Sequence, residues 1–305
     1  SYVIKAAENI SEVIKPNDLV ILESTSPVGT TKLIGELISK NSNIDIGNLN
    51  FAYCPERVLP GNIFKELVNN NRVIGGLTNK AAEMCLEFYK YFCKGELSIT
   101  NSKTAEMVKL SENTFRDVNI ALANELSIIC NELDINVNDV INISNLHPRV
   151  NILNPGCGVG GHCIAIDPYF IVSKTPKLAK LIKTARNVNE YKKQWVVEEI
   201  IKSINNFIDK NKRMPIVGCM GLSYKPNIDD LRESPSIFII QELIKKGYKI
   251  KISEPNIKEY SKFKLSPVDE LMRESEIVVL LVAHDIFLNL DFSNKLILDF
   301  CGLLK

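Results

Sequence analysis

Apolar runs too short to be helices alternate with longer amphipathic segments at both ends of this chain, and that rhythm restricts it to an α/β architecture. From Asp18 to Glu23 the run Leu19-Val20-Ile21-Leu22 reads as a buried strand, followed by a Ser/Thr/Pro/Gly turn and a helix from Thr31 to Ser39. Asn50 to Tyr53, Arg72 to Ile74 and Leu97 to Thr100 read as further strands, with a helix from Lys80 to Phe92 between the last two. Such alternation implies a parallel sheet covered by helices. The final third restarts it with a strand from Ile216 to Gly221 and a helix from Pro235 to Lys246. Strands from Lys249 to Ser253, Ile277 to Ala283 and Leu296 to Phe300 follow. Pro226 to Asp230 supplies turn and N-cap chemistry ahead of that helix. Its first turn, Gly218-Cys219-Met220-Gly221-Leu222, is a degenerate phosphate loop and by itself weak evidence for a nucleotide.

Between the two alternating regions the pattern changes to long helices. Val108, Phe115, Leu122, Leu126 and Ile129 mark a mostly buried helix over 103–132, and a second runs from about Pro176 to Asn206. The expected organisation is two Rossmann-like doubly wound domains, 1–101 and 208–305, joined by a central helical domain, 102–207. The apolar surplus of the long helices exceeds what one small sheet can cover, so a homodimer interface is expected there.

A chain of 305 residues, 45% hydrophobic, is ample for domains with proper cores. Its net charge of +1 leaves no global field to attract nucleic acid or an anionic membrane, so an anionic ligand must be gripped by local basic residues. The longest apolar stretch, around Ile277 to Ala283, is far short of the roughly 18 residues of a membrane span. No basic-then-apolar signal opens the sequence, and a cytoplasmic protein is expected. Eight cysteines lie scattered without a C-x-x-C pair, suggesting neither a zinc site nor a disulfide framework; six are read as buried small apolar side chains.

The segment Asn154-Pro155-Gly156-Cys157-Gly158-Val159-Gly160-Gly161-His162-Cys163-Ile164-Ala165-Ile166-Asp167-Pro168-Tyr169-Phe170 holds four glycines, two cysteines and an aspartate. Glycines let backbone approach a ligand closely. A cysteine ringed by backbone N–H groups can be held as a thiolate and used as a nucleophile. Cys163 is the candidate, with a purely structural thiol as the alternative on the residues alone and with Asp167 four residues on. Cys157, six positions before Cys163, is close enough in sequence for an inactivating disulfide, and its role is left open.

This loop resembles the active-site loop of the nucleotide-sugar 6-dehydrogenases, the UDP-glucose/GDP-mannose dehydrogenase family, and most of all the branch acting on a UDP-N-acetylhexosamine. Glu23-Ser24-Thr25-Ser26-Pro27-Val28-Gly29-Thr30, Tyr53-Cys54-Pro55-Glu56-Arg57-Val58-Leu59-Pro60-Gly61, Arg72-Val73-Ile74-Gly75-Gly76, the block Glu106 to Asn113 and Gly221-Leu222-Ser223-Tyr224-Lys225-Pro226 extend the resemblance, in family order, over nearly the whole chain.

The resemblance implies an NAD-dependent oxidation of the C6 hydroxyl of a UDP-sugar to a carboxylate. UDP-N-acetylmannosamine is the expected substrate, ahead of UDP-N-acetylglucosamine or UDP-glucose. It assigns Cys163 as nucleophile, Lys109 and Asn113 to the oxyanion, and Asp167, Glu56 and Thr25 to water and proton handling. Substrate contacts are carried over to Arg57, Val58, Lys109, Asn113, Arg116, Gly160, Tyr224 and Lys225. His147 and Arg149 are expected to reach the partner's site across the dimer. Ser24, Thr25 and Arg232 match cofactor contacts, and no metal is implied. The opening segment, Ser1 to Ile14, reads as a helix with no G-x-G-x-x-G, so the family's first βαβ unit, roughly 30 residues or more, is expected to be missing from an incomplete first domain.

On residues alone, blander readings stand beside these. Lys109, Asn113 and Arg116, at i, i+4 and i+7, form a polar stripe of a kind that is usually a solvated face. A partly buried lysine, by contrast, has its pKa lowered and suits proton transfer. Glu56 and Arg57 fit a surface ion pair, and His147 an ordinary loop residue. A non-catalytic fragment that binds UDP-sugar, and a β-hydroxyacid dehydrogenase needing only the lysine and asparagine, are the rivals of other classes.

Overall fold

The computed structural model describes residues 2–58 and 63–304; Leu59, Pro60 and Gly61 of the second family block lie outside the described residues. The chain divides into two compact units: residues 1–114 with 167–179, and residues 115–166 with 180–305.

Unit 1 runs α1 (Tyr2–Ser11), β1 (Leu19–Leu22), α2 (Thr30–Ser42), β2 (Asn50–Tyr53), α3 (Ile63–Asn69), β3 (Arg72–Gly76), α4 (Asn79–Lys90) and β4 (Leu97–Asn101). The strands lie in the order β1-β2-β3-β4. Every residue of β2 is buried, because both faces of the sheet are covered. Phe51 packs toward Ile34 and Ile38 of α2 on one side, while Ala52 packs with Ala82, Cys85 and Tyr89 of α4 on the other, the period of two that a strand imposes. Thr78 caps α4 by accepting from the Ala81 N–H.

Alternation predicted parallel strands throughout, and here the structure differs. β1 pairs with β2 and β3 with β4 in parallel, but β2 and β3 are antiparallel. A parallel return requires a crossover along the sheet. Here β3 begins instead beside the carboxyl end of β2, where Glu56 meets Arg72 at 3.8 Å.

The long helix α5 (Ser102–Glu132) contributes residues to both units; α6 (Val137–Ser144) belongs to unit 2 and α7 (Asp167–Lys174) to unit 1. The helix α8 (Lys180–Asn211) begins later than its pattern suggested, after Pro176, which has no N–H to continue α7. Unit 2 then runs β5 (Ile216–Met220), α9 (Pro235–Lys245), β6 (Lys249–Ser253), α10 (Val268–Glu274), β7 (Ile277–Leu280) and β8 (Leu296–Asp299). Its sheet is all parallel, in the order β6-β5-β7-β8. Ile277 and Val279 join a core built from α8 and α9, while Val278 and Leu280 join the opposite one with Leu271 and Phe287. The chain winds first to one side of β5 and then to the other, which opens a crevice at the carboxyl ends of β5 and β7, the usual ligand position in such sheets.

Two expectations about side chains are overturned. Phe115, Leu122 and Ile129, read as the buried face of α5, are 64%, 48% and 47% exposed. The buried stripe is Glu106, Leu110, Asn113, Asp117, Ala121 and Asn124, whose polar members are paired by hydrogen bonds. N-cap chemistry from 226–230 is not used either: Ser234 takes the N-cap position of α9, without a side-chain cap bond, and Pro235 follows. Among the described residues, no helix is long and apolar enough to cross a membrane.

Candidate active site

Unit 1 holds Ser24, Thr25, Glu56, Arg57, Val58, Lys109, Asn113 and Asp167. Ser24 and Thr25 lie in the turn between β1 and α2, exposed and half-buried respectively. That turn is fixed from below by the buried Glu106. Its carboxylate accepts the Gly29 N–H at 2.6 Å, the Thr31 N–H at 2.8 Å and the Thr31 hydroxyl at 2.7 Å. The N-terminus of α2 thus already carries an anion.

Beyond β2, the Glu56 carboxylate accepts from the backbone N–H groups of Arg57 (2.6 Å) and Val58 (3.0 Å). Arg57 pairs with Glu112 and donates to the Asn71 carbonyl at 3.0 Å. Lys109 is half-buried, Asn113 buried. Asn113 donates from Nδ2 to the buried Asp167 carboxylate at 2.5 Å, bringing two predicted site residues into direct contact. Deeper in the unit, Tyr89 donates its hydroxyl to Glu23 at 2.5 Å.

Unit 2 holds Arg116, His147, Arg149, Gly160, Cys163, Tyr224, Lys225 and Arg232. The glycine loop is held at three points. The Gly156 N–H donates to Asn124 Oδ1 at 2.9 Å, Cys157 Sγ lies 3.5 Å from the Leu281 carbonyl, and the Gly161 N–H donates to the Arg232 carbonyl at 3.0 Å. A Cβ on Gly160 would stand 2.6 Å from Tyr224 Cβ and 2.8 Å from the Glu233 carbonyl, so only glycine allows this approach. Cys163 is half-buried near the end of the loop.

Cys157 forms no disulfide with Cys163. None of the eight cysteines is in a disulfide, and six are buried, Cys157 among them. Its thiol turns into the α8/α9 core, where burial raises its pKa to about 12. The six buried thiols are Cys54, Cys85, Cys93, Cys130, Cys157 and Cys219.

A cavity of about 430 Å³ opens at the carboxyl ends of β5 and β7, lined by the glycine loop and by Arg116, Tyr224, Lys225 and Ala283. Arg116 and Tyr224 therefore share one concavity with Gly160. The Tyr224 hydroxyl is raised by burial and by nearby Asp230. Arg232 grips Asp230 through Nε at 3.0 Å and Nη2 at 2.6 Å. His147 and Arg149 are exposed in the segment after α6, where the Arg149 N–H donates to His147 Nδ1 at 3.3 Å.

Sequence reasoning missed Glu106, Asn124, Asp117 and Arg186. Asp117 and Arg186, both buried, pair at 2.6 Å; Asn189 bridges Asp117 to Asn124 at 2.8 and 2.9 Å. The available signal was the heptad-like recurrence of polar residues at 106, 113, 117 and 124.

Two units of helix-covered sheet, a turn braced by the buried Glu106 and a half-buried thiol on a glycine loop fit a nucleotide-dependent oxidoreductase. The chain belongs to the UDP-glucose/GDP-mannose dehydrogenase family. Models of that family match its NAD binding domain over residues 1–93, its central domain over 103–191 and its UDP binding domain over 218–305. The chain is 47% identical to the UDP-N-acetyl-D-mannosamine dehydrogenase of Campylobacter jejuni, across 98% of this chain and 76% of that one. It is 44% identical to an NDP-N-acetyl-D-galactosaminuronic acid dehydrogenase of Ralstonia nicotianae, across 99% and 74%. The solved UDP-D-ManNAc dehydrogenase of Pyrococcus horikoshii superposes with a TM-score of 0.92 at 35% identity, covering 100% of this chain and 74% of that one.

Proposed function

We propose that this chain oxidises the C6 hydroxyl of UDP-N-acetyl-D-mannosamine to the carboxylate, giving UDP-N-acetylmannosaminuronate. The observation that carries this reading is the glycine loop. It is packed against Tyr224 and hung from the Arg232 carbonyl, and it presents Cys163 half-buried while six of the other seven cysteines are sealed in cores.

NAD, when bound, accepts the hydride in each of two oxidations. The residues present suit the end of the dinucleotide that reacts. Ser24 and Thr25 stand in the turn at the carboxyl end of β1, and Arg232 is exposed, whereas the Gly29 and Thr31 N–H groups are taken by Glu106. In the proposed sequence, Cys163 Sγ adds to the C6 aldehyde left by the first oxidation. The second oxidation converts that adduct to a thioester, and water releases the acid and the free thiol. Covalent capture keeps the aldehyde from escaping. Lys109 and Asn113 stabilise the developing oxyanion; Asn113 is oriented for this by Asp167. Asp167, Glu56 and Thr25 order the water and take its proton.

Arg57, Val58, Arg116, Gly160, Tyr224 and Lys225 hold the sugar nucleotide, Lys225 as a point charge on the diphosphate and Arg149 as a planar fork. The functional parts are 1–101 for NAD, 102–207 for the catalytic loop and dimerisation, and 208–305 for UDP-sugar. A homodimer fits the exposed Phe115, Leu122 and Ile129 stripe of α5, with His147 and Arg149 serving the partner. A cytoplasmic location fits eight cysteines outside any disulfide. A panel of UDP-N-acetylmannosamine, its gluco and galacto epimers and UDP-glucose, compared by kcat/KM, tests the substrate. A higher value for any other sugar would reassign it.

A further inference from the structure

The first turn of the second sheet is not an open phosphate cradle. The N–H groups of Leu222 and Ser223, which follow the glycine turn, both donate to Glu254 Oε2, at 2.7 and 3.1 Å. Glu254, 4% exposed at the end of β6, also accepts the Asn256 N–H at 3.0 Å on Oε1. Desolvation would raise its pKa, but the His284 contact and these N–H groups outweigh it and leave it lowered. An internal carboxylate therefore takes up the N–H groups of this turn, which are not open to a phosphate.

The same carboxylate oxygen lies 3.1 Å from Nε2 of His284, which is fully buried. Nδ1 of that ring accepts the Asn227 backbone N–H at 2.9 Å. A backbone N–H can only donate, so Nδ1 is unprotonated and Nε2 carries the hydrogen toward Glu254. Asn227 Oδ1 in turn accepts the Asp285 N–H at 3.0 Å, and Ser223 Oγ donates to the Lys225 carbonyl at 2.8 Å. The loop 222–227 is thus clamped at one end by Glu254 and at the other by His284. Between those ends Tyr224, whose N–H donates to the Asp230 carbonyl at 3.1 Å, and Lys225 line the 430 Å³ cavity.

We propose that His284, fixed in one tautomer by the Asn227 N–H and held against Glu254, is a positioning residue for the sugar nucleotide, acting through loop 222–227. The proposal rests on the reading of Tyr224 and Lys225 as ligand contacts. A side chain that reaches the ligand only through this loop affects ground-state and transition-state binding alike, so its loss moves KM more than kcat.

Two substitutions separate its contacts in the full chain. His284→Gln puts an amide N–H near the place of Nε2 but removes the acceptor for Asn227; His284→Asn keeps an acceptor near the place of Nδ1. The measurements are UDP affinity by calorimetry, amide exchange over 222–227, and KM against kcat for NADH formation. His284→Gln is expected to weaken UDP binding about tenfold, as an unpaired buried donor would. It should speed exchange at Asn227 and raise KM with kcat within about twofold. His284→Asn should recover most of the affinity. Should His284→Gln not fold, Glu254→Gln, which aims an amide into the same N–H groups, is held to the same expectations. Unchanged UDP affinity with a loosened loop overturns the proposal, as does an unchanged loop. A wild-type chain that binds no UDP refutes the ligand reading itself, a result the exchange data keep separate from failure of the clamp.

Discussion

Cys163 and Gly160 make the sharpest demands on single residues. Cys163→Ala should still oxidise the alcohol once but stall there, so product analysis should find no uronate; uronate at the wild-type rate would favour a thiol-independent dehydrogenase. Gly160→Ala forces a methyl to within 2.6 Å of Tyr224 Cβ. The expected overpacking cost is about 1–3 kcal/mol in denaturant unfolding, with activity lost beyond what that predicts. Lys192 offers a test by pH. Burial lowers its pKa to about 7, against 10.5 for a free lysine, while it donates to Ser127 Oγ at 2.8 Å and lies 3.7 Å over Trp195. Between these two values the unfolded chain binds more protons than the folded one, so this residue makes stability rise with pH across that window. Lys192→Met should lack that increment when urea unfolding is compared at about pH 7 and about pH 9; parallel curves for the two proteins would contradict the assignment.

At the scale of elements, α5 is the informative case. Its apolar pattern was legible in the sequence but pointed to the wrong face, because a helix facing an uncovered apolar stripe outward looks the same as one burying it. The polar stripe at 106, 113, 117 and 124 is the buried one, and each member earns its place by a specific partner: Gly29 and Thr31, Asp167, Arg186, and Gly156. Partners so distant in sequence cannot be read from spacing. Removing Asp117 takes from a guanidinium that is 1% exposed its buried carboxylate partner and leaves it the half-exposed Glu190. Asp117→Ala should therefore destabilise by about 3–5 kcal/mol, whereas replacing both partners by apolar residues should recover much of that loss. A cost below about 1 kcal/mol would show that the buried pair is not what ties α5 to α8. The strands fared better: β1, β2 and β6 lie where the sequence put them, since a short run rich in branched or aromatic residues between turn formers has few alternatives. The antiparallel β3 was not legible, because strand direction depends on the path of the connection and not on the strand itself.

Over the whole molecule, the two α/β halves and the thiol loop could be read from the chain. The braces that hold the ligand-facing turns could not: Glu106 and Glu254 look like ordinary charges until the fold places N–H groups on them. The outward stripe of α5 predicts assembly. Phe115→Glu with Leu122→Glu should give monomers in sedimentation and, if His147 and Arg149 serve a partner, sharply reduced turnover; an unchanged dimer would move the interface elsewhere. The account as a whole stands on a thiol-mediated double oxidation. Its most direct test is the NADH released per UDP-N-acetylmannosamine consumed by this chain under reducing conditions. About two per sugar, abolished in Cys163→Ala, is the predicted result given two hydride transfers to NAD. A ratio near one, or uronate formed without the thiol, would contradict it.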